Sequence, residues 1–216
     1  MTATYALISG GGTGGHVFPA LALVVMAVLV AGGVRLQHLA VVGAAGITLV
    51  TFLALTEPYR RARMLTFLDP FADSSNAGYQ ISQSLIALGS GGLTGVGLGA
   101  SRAKWNFLPN AHTDFIFAII GEELGLIGCF LVMGLFTAFA VFGARAALRA
   151  PDRFGALIAA GATVWVVGQA VINIGAAIGT LPITGVPLPF VSFGGSSLVI
   201  AMAATGILVN IARQAR

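Results

Sequence analysis

"DFIFAIIGEELGLIGCFLVMGLFTAFAVF", residues 114–142, holds no lysine or arginine and only three acidic side chains, Asp114, Glu122 and Glu123. An apolar run of this length exceeds the roughly 20 residues that a helix needs to cross a hydrocarbon core. The rest of the chain shares its character. Of 216 residues, 57% are hydrophobic and 8% charged, against roughly 25% charged in a soluble domain, and the mean hydropathy is +0.95. So little charge leaves no adequate polar surface for water, and lipid is the expected solvent. The expected fold class is all-α, a polytopic transmembrane helix bundle. Thirty glycines suit close helix approach and broken helices.

Working outward from 114–142, six candidate segments emerge: 17–33, 38–56, 78–97, 114–142, 154–180 and 195–211. The third starts polar, with Tyr79, Gln80, Gln83 and Ser84, and breaks at "GSGG", which predicts a broken or re-entrant element. Alternation of sides divides the basic residues unequally. Arg60, Arg61, Arg63, Arg145, Arg149, Arg153, Arg213 and Arg216 fall on one side, and Arg35, Arg102 and Lys104 on the other. The richer side is cytoplasmic by the positive-inside rule, which places both termini there. Two loops then face outward, "GVGLGASRAKWNFLPNAHTD" (95–114) and "LPITGVPLPFVSFGGSS" (181–197). The net charge of +4 is therefore a topology signal and not a nucleic-acid footprint. No lysine or arginine precedes Arg35, so the charged region of a secretory signal peptide is missing. A single cysteine, Cys129, excludes a disulfide framework.

The first outer loop gathers Arg102, Lys104, His112 and Asp114 at the rim of the fourth segment. Asp114 reads either as a helix cap with rim anchors or as a general base beside cations that receive an anionic substrate. Helical continuation puts Ala118, Gly121, Gly125 and Gly128 on one face, a groove for a neighbouring helix or a lipid chain. Glu122 and Glu123 are intramembrane carboxylates that require a partner, structural or catalytic. In the fifth segment Gln169 and Asn173 share a face with Trp165, a pattern that favours hydrogen bonds within the bundle. The second outer loop carries Pro182, Pro187 and Pro189, then Ser192, Ser196 and Ser197 with Gly194 and Gly195. These either cap the last helix or cradle a sugar or phosphate. "GVGLG" follows no soluble strand and is not a dinucleotide fingerprint. His38 and His112 stand alone, Cys129 reads as packing, and no cluster has metal-ligand spacing.

Three long motifs, "PYRRARMLTFLDPFAD" (58–73), "GYQISQSLIALGSGGLTGVGLGASRAKWNFLPNAHTDFIFAIIGEELGLIG" (78–128) and the second outer loop, resemble the FtsW/RodA (SEDS) family. The likeness covers about 24–216 and is nearer to the division-type member. These are integral-membrane peptidoglycan glycosyltransferases. The resemblance implies polymerisation of lipid II at the outer face of the bacterial cytoplasmic membrane. An acceptor sugar hydroxyl attacks the donor's anomeric carbon and undecaprenyl pyrophosphate leaves. It carries the family's essential aspartate to Asp114, as general base, and sets Arg102 and Lys104 to steady the pyrophosphate. Ser192, Ser196 and Ser197 would border the same cavity. No cofactor is firmly implied, although a divalent cation could share the anionic load. A class B penicillin-binding transpeptidase and other division proteins are the implied partners.

The opening "ISGGGTGGHVFPALAL" (8–23) departs from that family and resembles the glycine-rich first loop of MurG. It reads as a short strand (Tyr5 to Ile8), a turn from Gly10 to Gly15, and a helix opened by Pro19. The division expected is 1–23 as a MurG-like fragment and 24–216 as part of a SEDS membrane domain, without the family's earlier spans. The isolated chain is accordingly expected to be inactive. The competing readings are a lipid-precursor flippase, an inactive division-machinery fragment and, last, a MurG-type transferase of UDP-N-acetylglucosamine.

Overall fold

A computed structural model describes residues 11–56, 78–109 and 111–214. The expected strand at 5–8, the motif at 58–73 with Arg60, Arg61 and Arg63, and Arg216 lie outside the described residues. Among those described, the chain is helical throughout: α1 (Gly11–Ala31), α2 (Leu36–Thr56), α3 (Tyr79–Gly91), α4 (Ile116–Leu148), α5 (Arg153–Ala177) and α6 (Gly195–Gln214). A π-helical turn, Ala103–Phe107, interrupts the loop between α3 and α4. Among the described residues, three helices, α4, α5 and α6, are long and apolar enough to cross a membrane.

The front of the chain differs from the sequence expectation. Gly11 to Gly15 form the first turns of α1, and Pro19 lies inside that helix instead of opening it. Each glycine costs about 1 kcal/mol of helix propensity. An unpaired backbone group in an apolar setting costs several kcal/mol, so a helix is the better solution even for a glycine run. The stretch is therefore not a phosphate-cradling turn in this fold.

Helix α5 is the centre of the bundle and touches α1, α3, α4 and α6. Small buried residues, among them Ala159, Gly161, Gly168 and Ala170, let the neighbours approach its backbone. Leu23 and Val28 of α1 lie against Gly168 and Gly161. Asp152 caps the start of α5 by accepting from the Gly155 N–H at 2.8 Å. Leu208 and Ile211 seat α6 on Ala146 and Ala159. The main core, with Ile81, Phe115, Phe117, Ala118, Ala170 and Leu188, lies beneath the loops that carry the candidate site.

Helix α3 has 13 residues, about 20 Å of rise, and falls short of a bilayer of about 30 Å. It ends at Gly91, where "GSGG" predicts a break. Ser84, fully buried, donates to the Ala177 carbonyl at 2.7 Å and ties α3 to the end of α5.

Helix α4 is not the single rod that its composition suggests. Gly125 has φ 66° and ψ −162°, and the helix divides there into limbs 116–124 and 126–148. A methyl group on Gly121 would sit 3.1 Å from Cys129 Sγ, whereas eight residues of unbroken helix advance about 12 Å. The first limb thus folds back along the second. The 95–97 and 92–93 backbones insert at the break and replace its missing bonds. Val96 and Gly97 N–H groups donate to the Glu122 and Glu123 carbonyls at 2.9 and 3.1 Å. Leu126 and Ile127 N–H groups donate to Gly92 and Leu93 at 3.0 and 3.4 Å. No orphan backbone group results at these four positions. Gly121 and Gly125 are met by the chain's own 88–95 segment and Gly128 by the Leu124 side chain, so the expected glycine face is not an open lipid groove.

Candidate functional site

The loop from Gly92 to Phe115 is built on Glu122 and Glu123. Glu122 is 4% exposed, and its carboxylate accepts from Ser101 Oγ at 2.5 Å, Arg102 N at 3.0 Å and Ala103 N at 3.3 Å. It therefore holds the start of the π turn as a carboxylate holds a helix N-terminus. Glu123 pairs with Lys104 Nζ at 3.0 Å and accepts from Ser101 N at 3.3 Å. Lys104 Nζ also donates to the Gly99 carbonyl at 2.5 Å. Both acidic residues thus serve the fold of the loop. Removing Glu122 leaves three donors unpaired, two of them buried. Glu122→Ala is expected to lower stability by about 3 kcal/mol, and Glu123→Ala by less than about 1 kcal/mol, because its ion pair is part-exposed. Thermal unfolding in detergent, compared between the two variants, checks the difference.

Asp114 stands immediately before α4, half-buried, with buried Phe115 as the residue that caps the helix. Its carboxylate makes no capping bond and no ion pair among the described residues. The cap reading of Asp114 is therefore not what the structure shows. Its backbone, in contrast, is fixed. The Asp114 carbonyl accepts from Asn173 Nδ2 of α5 at 2.8 Å, and the same amide donates to the Val186 carbonyl at 2.7 Å. Asn173 is 2% exposed, and its Oδ1 has no donor among the described residues. A buried unpaired acceptor costs about 1–3 kcal/mol, which offsets much of what two hydrogen bonds of about 1 kcal/mol each contribute. The net gift of this side chain is geometry more than stability.

The 181–197 segment closes on the same place. Ser192 Oγ donates to the Thr113 carbonyl and accepts from Leu188 N, and Phe193 N donates to the His112 carbonyl at 2.9 Å. Phe190 takes φ 66°, a left-handed conformation uncommon for an aromatic residue, and its ring lies 6.3 Å from that of Phe139. Beside it an apolar cavity of about 290 Å³ is walled by Val132, Leu135, Phe136 and Phe139 of α4 and by Pro189, Phe190 and Val191.

Of the residues expected at the site, Asp114 and Ser192 are brought together through Thr113. Lys104 is committed to Glu123, so its ammonium is already neutralised. Arg102 lends its N–H to Glu122 while its exposed guanidinium forms no ion pair among the described residues. Ser196 and Ser197 sit at the start of α6, the first exposed and the second half-buried, with no side-chain hydrogen bond among the described residues. Ser192 acts as a tie between segments. Sequence reasoning placed Asn173 among bundle hydrogen bonds without its partner. Ser101 and Thr113 carried no signal of their own.

Residues 10–216 match the FtsW/RodA/SpoVE model, described as cell cycle protein. The chain belongs to this family. Stage V sporulation protein E of Bacillus subtilis is 46% identical over 184 residues, 85% of this chain and 50% of that protein. The probable peptidoglycan glycosyltransferase FtsW of Geobacter metallireducens is 43% identical over 87% of this chain and 50% of its own length. The chain spans about half the length of the curated relatives it matches. Among solved structures, a chain of a peptidoglycan synthase complex that coordinates polymerization and crosslinking superposes with TM-score 0.69 at 28% identity, covering 91% of this chain and 55% of that one. The rod shape determining protein RodA of Thermus thermophilus, in a mutant form, gives 0.55 at 26% identity, covering 90% and 48%. Membership in the family and the apolar helices make this an integral membrane protein. The family match includes Gly11 to Gly15, in keeping with their place in α1.

Proposed function

We propose that this chain is part of a peptidoglycan glycosyltransferase of the bacterial cytoplasmic membrane that polymerises lipid II, with Asp114 as general base. The observation that carries the reading is the contrast at Asp114: a backbone held by Asn173 and flanked by the Thr113–Ser192 tie, and a carboxylate with no partner among the described residues. A base must be placed and also be available. In the reaction Asp114 takes the proton of the acceptor sugar hydroxyl as its oxygen bonds the donor's anomeric carbon. The bond from that carbon to the pyrophosphate oxygen breaks, and its electron pair leaves with undecaprenyl pyrophosphate. Arg102, whose guanidinium makes no ion pair among the described residues, faces the developing pyrophosphate charge in this reading, whereas Lys104 contributes through the loop it braces. Ser196 and Ser197 offer hydroxyl groups at the rim. The apolar cavity beside Phe190 suits hydrocarbon and supports a lipid-linked substrate. A divalent cation is compatible with this anionic chemistry, although no group of three His, Cys, Asp or Glu side chains that could hold one occurs among the described residues.

A class B penicillin-binding transpeptidase is the proposed partner, supported by the synthase complex among the structural neighbours. Extension of labelled lipid II into glycan chains by the reconstituted protein tests the function directly against the sequence expectation that the isolated chain is inactive. Lipid II scrambling without polymer would instead support a flippase.

Orientation is a separate proposal, carried by the basic-residue asymmetry, with 95–114 outside and both ends inside. In a Cys129→Ala background, a membrane-impermeant maleimide is expected to label Ala100→Cys in intact cells. Ala212→Cys should react only after permeabilisation. The reverse pattern would invert the topology.

A further inference from the structure

Asn173 lies four residues before the end of α5 and is the point where the helix, the Asp114 backbone and the second outer segment meet. Both acceptors are main-chain carbonyls from separate parts of the chain, at 2.8 and 2.7 Å, and both bonds come from one nitrogen. A carbonyl cannot donate, so these partners fix Nδ2 as the atom that faces them and exclude the flipped amide. The carboxylate of Asp114, by contrast, is fixed among the described residues through its own backbone. No other side chain described here hydrogen bonds that backbone carbonyl.

We propose that Asn173 is a positioning residue for the transfer reaction: its amide sets where the Asp114 carboxylate stands relative to the second outer segment. The proposal rests on Asp114 being the general base. Asn173 does not touch substrate and acts through residue 114. A misplacement of about 1 Å in such a group costs on the order of 100-fold in rate. Asn173→Leu keeps the number and branching of the side-chain heavy atoms and removes both donors.

Two measurements on the full chain in nanodiscs decide the matter. The first is turnover of fluorescent lipid II by the protein, by Asn173→Leu, by Asp114→Asn and by the double variant. Asn173→Leu is expected to lower kcat by about 10- to 100-fold with KM changed less than about threefold. In the Asp114→Asn background it should lower the rate less than about twofold, because the group it positions is gone. A merely structural role would multiply the losses in both backgrounds. Full kcat in Asn173→Leu beside a collapsed Asp114→Asn overturns the positioning role and leaves the base assignment standing. Full turnover in Asp114→Asn, or none in the unmodified protein, removes the catalytic reading and this proposal with it.

The second measurement needs no activity: a spin label at Asp114→Cys in a Cys129→Ala background. Its mobility should rise with Asn173→Leu and stay unchanged with Thr163→Val, a buried control on the same helix. Unchanged mobility in Asn173→Leu overturns the proposal even if turnover falls.

Discussion

Gly125→Ala is expected to destabilise the protein by about 4 kcal/mol or more, and the loss should appear as a cooperative melt far below that of the unmodified chain. Two costs add. Gly125 occupies φ 66° and ψ −162°, a region open essentially to glycine alone, and a side chain there costs about 1–3 kcal/mol. Its new methyl carbon would stand 2.5 Å from both the Gly95 nitrogen and the Leu93 oxygen. These are backbone atoms of the inserted segment and cannot swing aside as a flexible side chain would. Moving them breaks the four exchanged hydrogen bonds at the fold-back, and steric insertion of this kind belongs among the most damaging single substitutions. Gly46, with no atom near its absent methyl, is the control: Gly46→Ala should be neutral or slightly stabilising. Thermal unfolding of both variants in the same detergent measures the contrast.

Asp114→Asn is expected to lower the rate of lipid II polymerisation by about 100- to 10,000-fold, the range a lost general base supplies. Asparagine preserves the shape and the backbone carbonyl that Asn173 holds, so the melting temperature should stay within a few degrees. No capping bond or ion pair of the carboxylate is lost, since none is made among the described residues. Loss of rate without loss of stability separates this position from Glu122, where the opposite signature is expected: Glu122 carries the loop's structure and Asp114 does not.

The fate of the two predicted rims shows what sequence can and cannot carry. Alternation of apolar segments puts 95–114 and 181–197 at one end of the bundle, and the Phe193–His112 and Ser192–Thr113 bonds join them. The break after "GSGG" is legible because glycine clusters end helices. The fold-back at Gly125 is not legible. Helical periodicity assumes an unbroken rod, and a positive φ leaves no trace in the residue type when glycines already abound. The same assumption made Gly121, Gly125 and Gly128 look like one stripe, whereas the bend turns the two limbs against each other. The Lys104–Glu123 pair left no trace in the sequence because the two residues lie 19 apart and meet only where the loop returns onto the first limb of α4. The front glycines looked like a turn because a short motif ignores the apolar run that draws it into α1.

The convergence of the 95–114 and 181–197 segments at Asp114 is the centre of this account, and proximity of positions 112 and 193 tests it most directly. With His112→Cys and Phe193→Cys in a Cys129→Ala background, a short bifunctional thiol reagent applied to membranes should join the pair in high yield. Ala100→Cys with Phe193→Cys should join poorly. Equal, low yields for both pairs in a folded protein would contradict the convergence, and the placement of Asp114 with it.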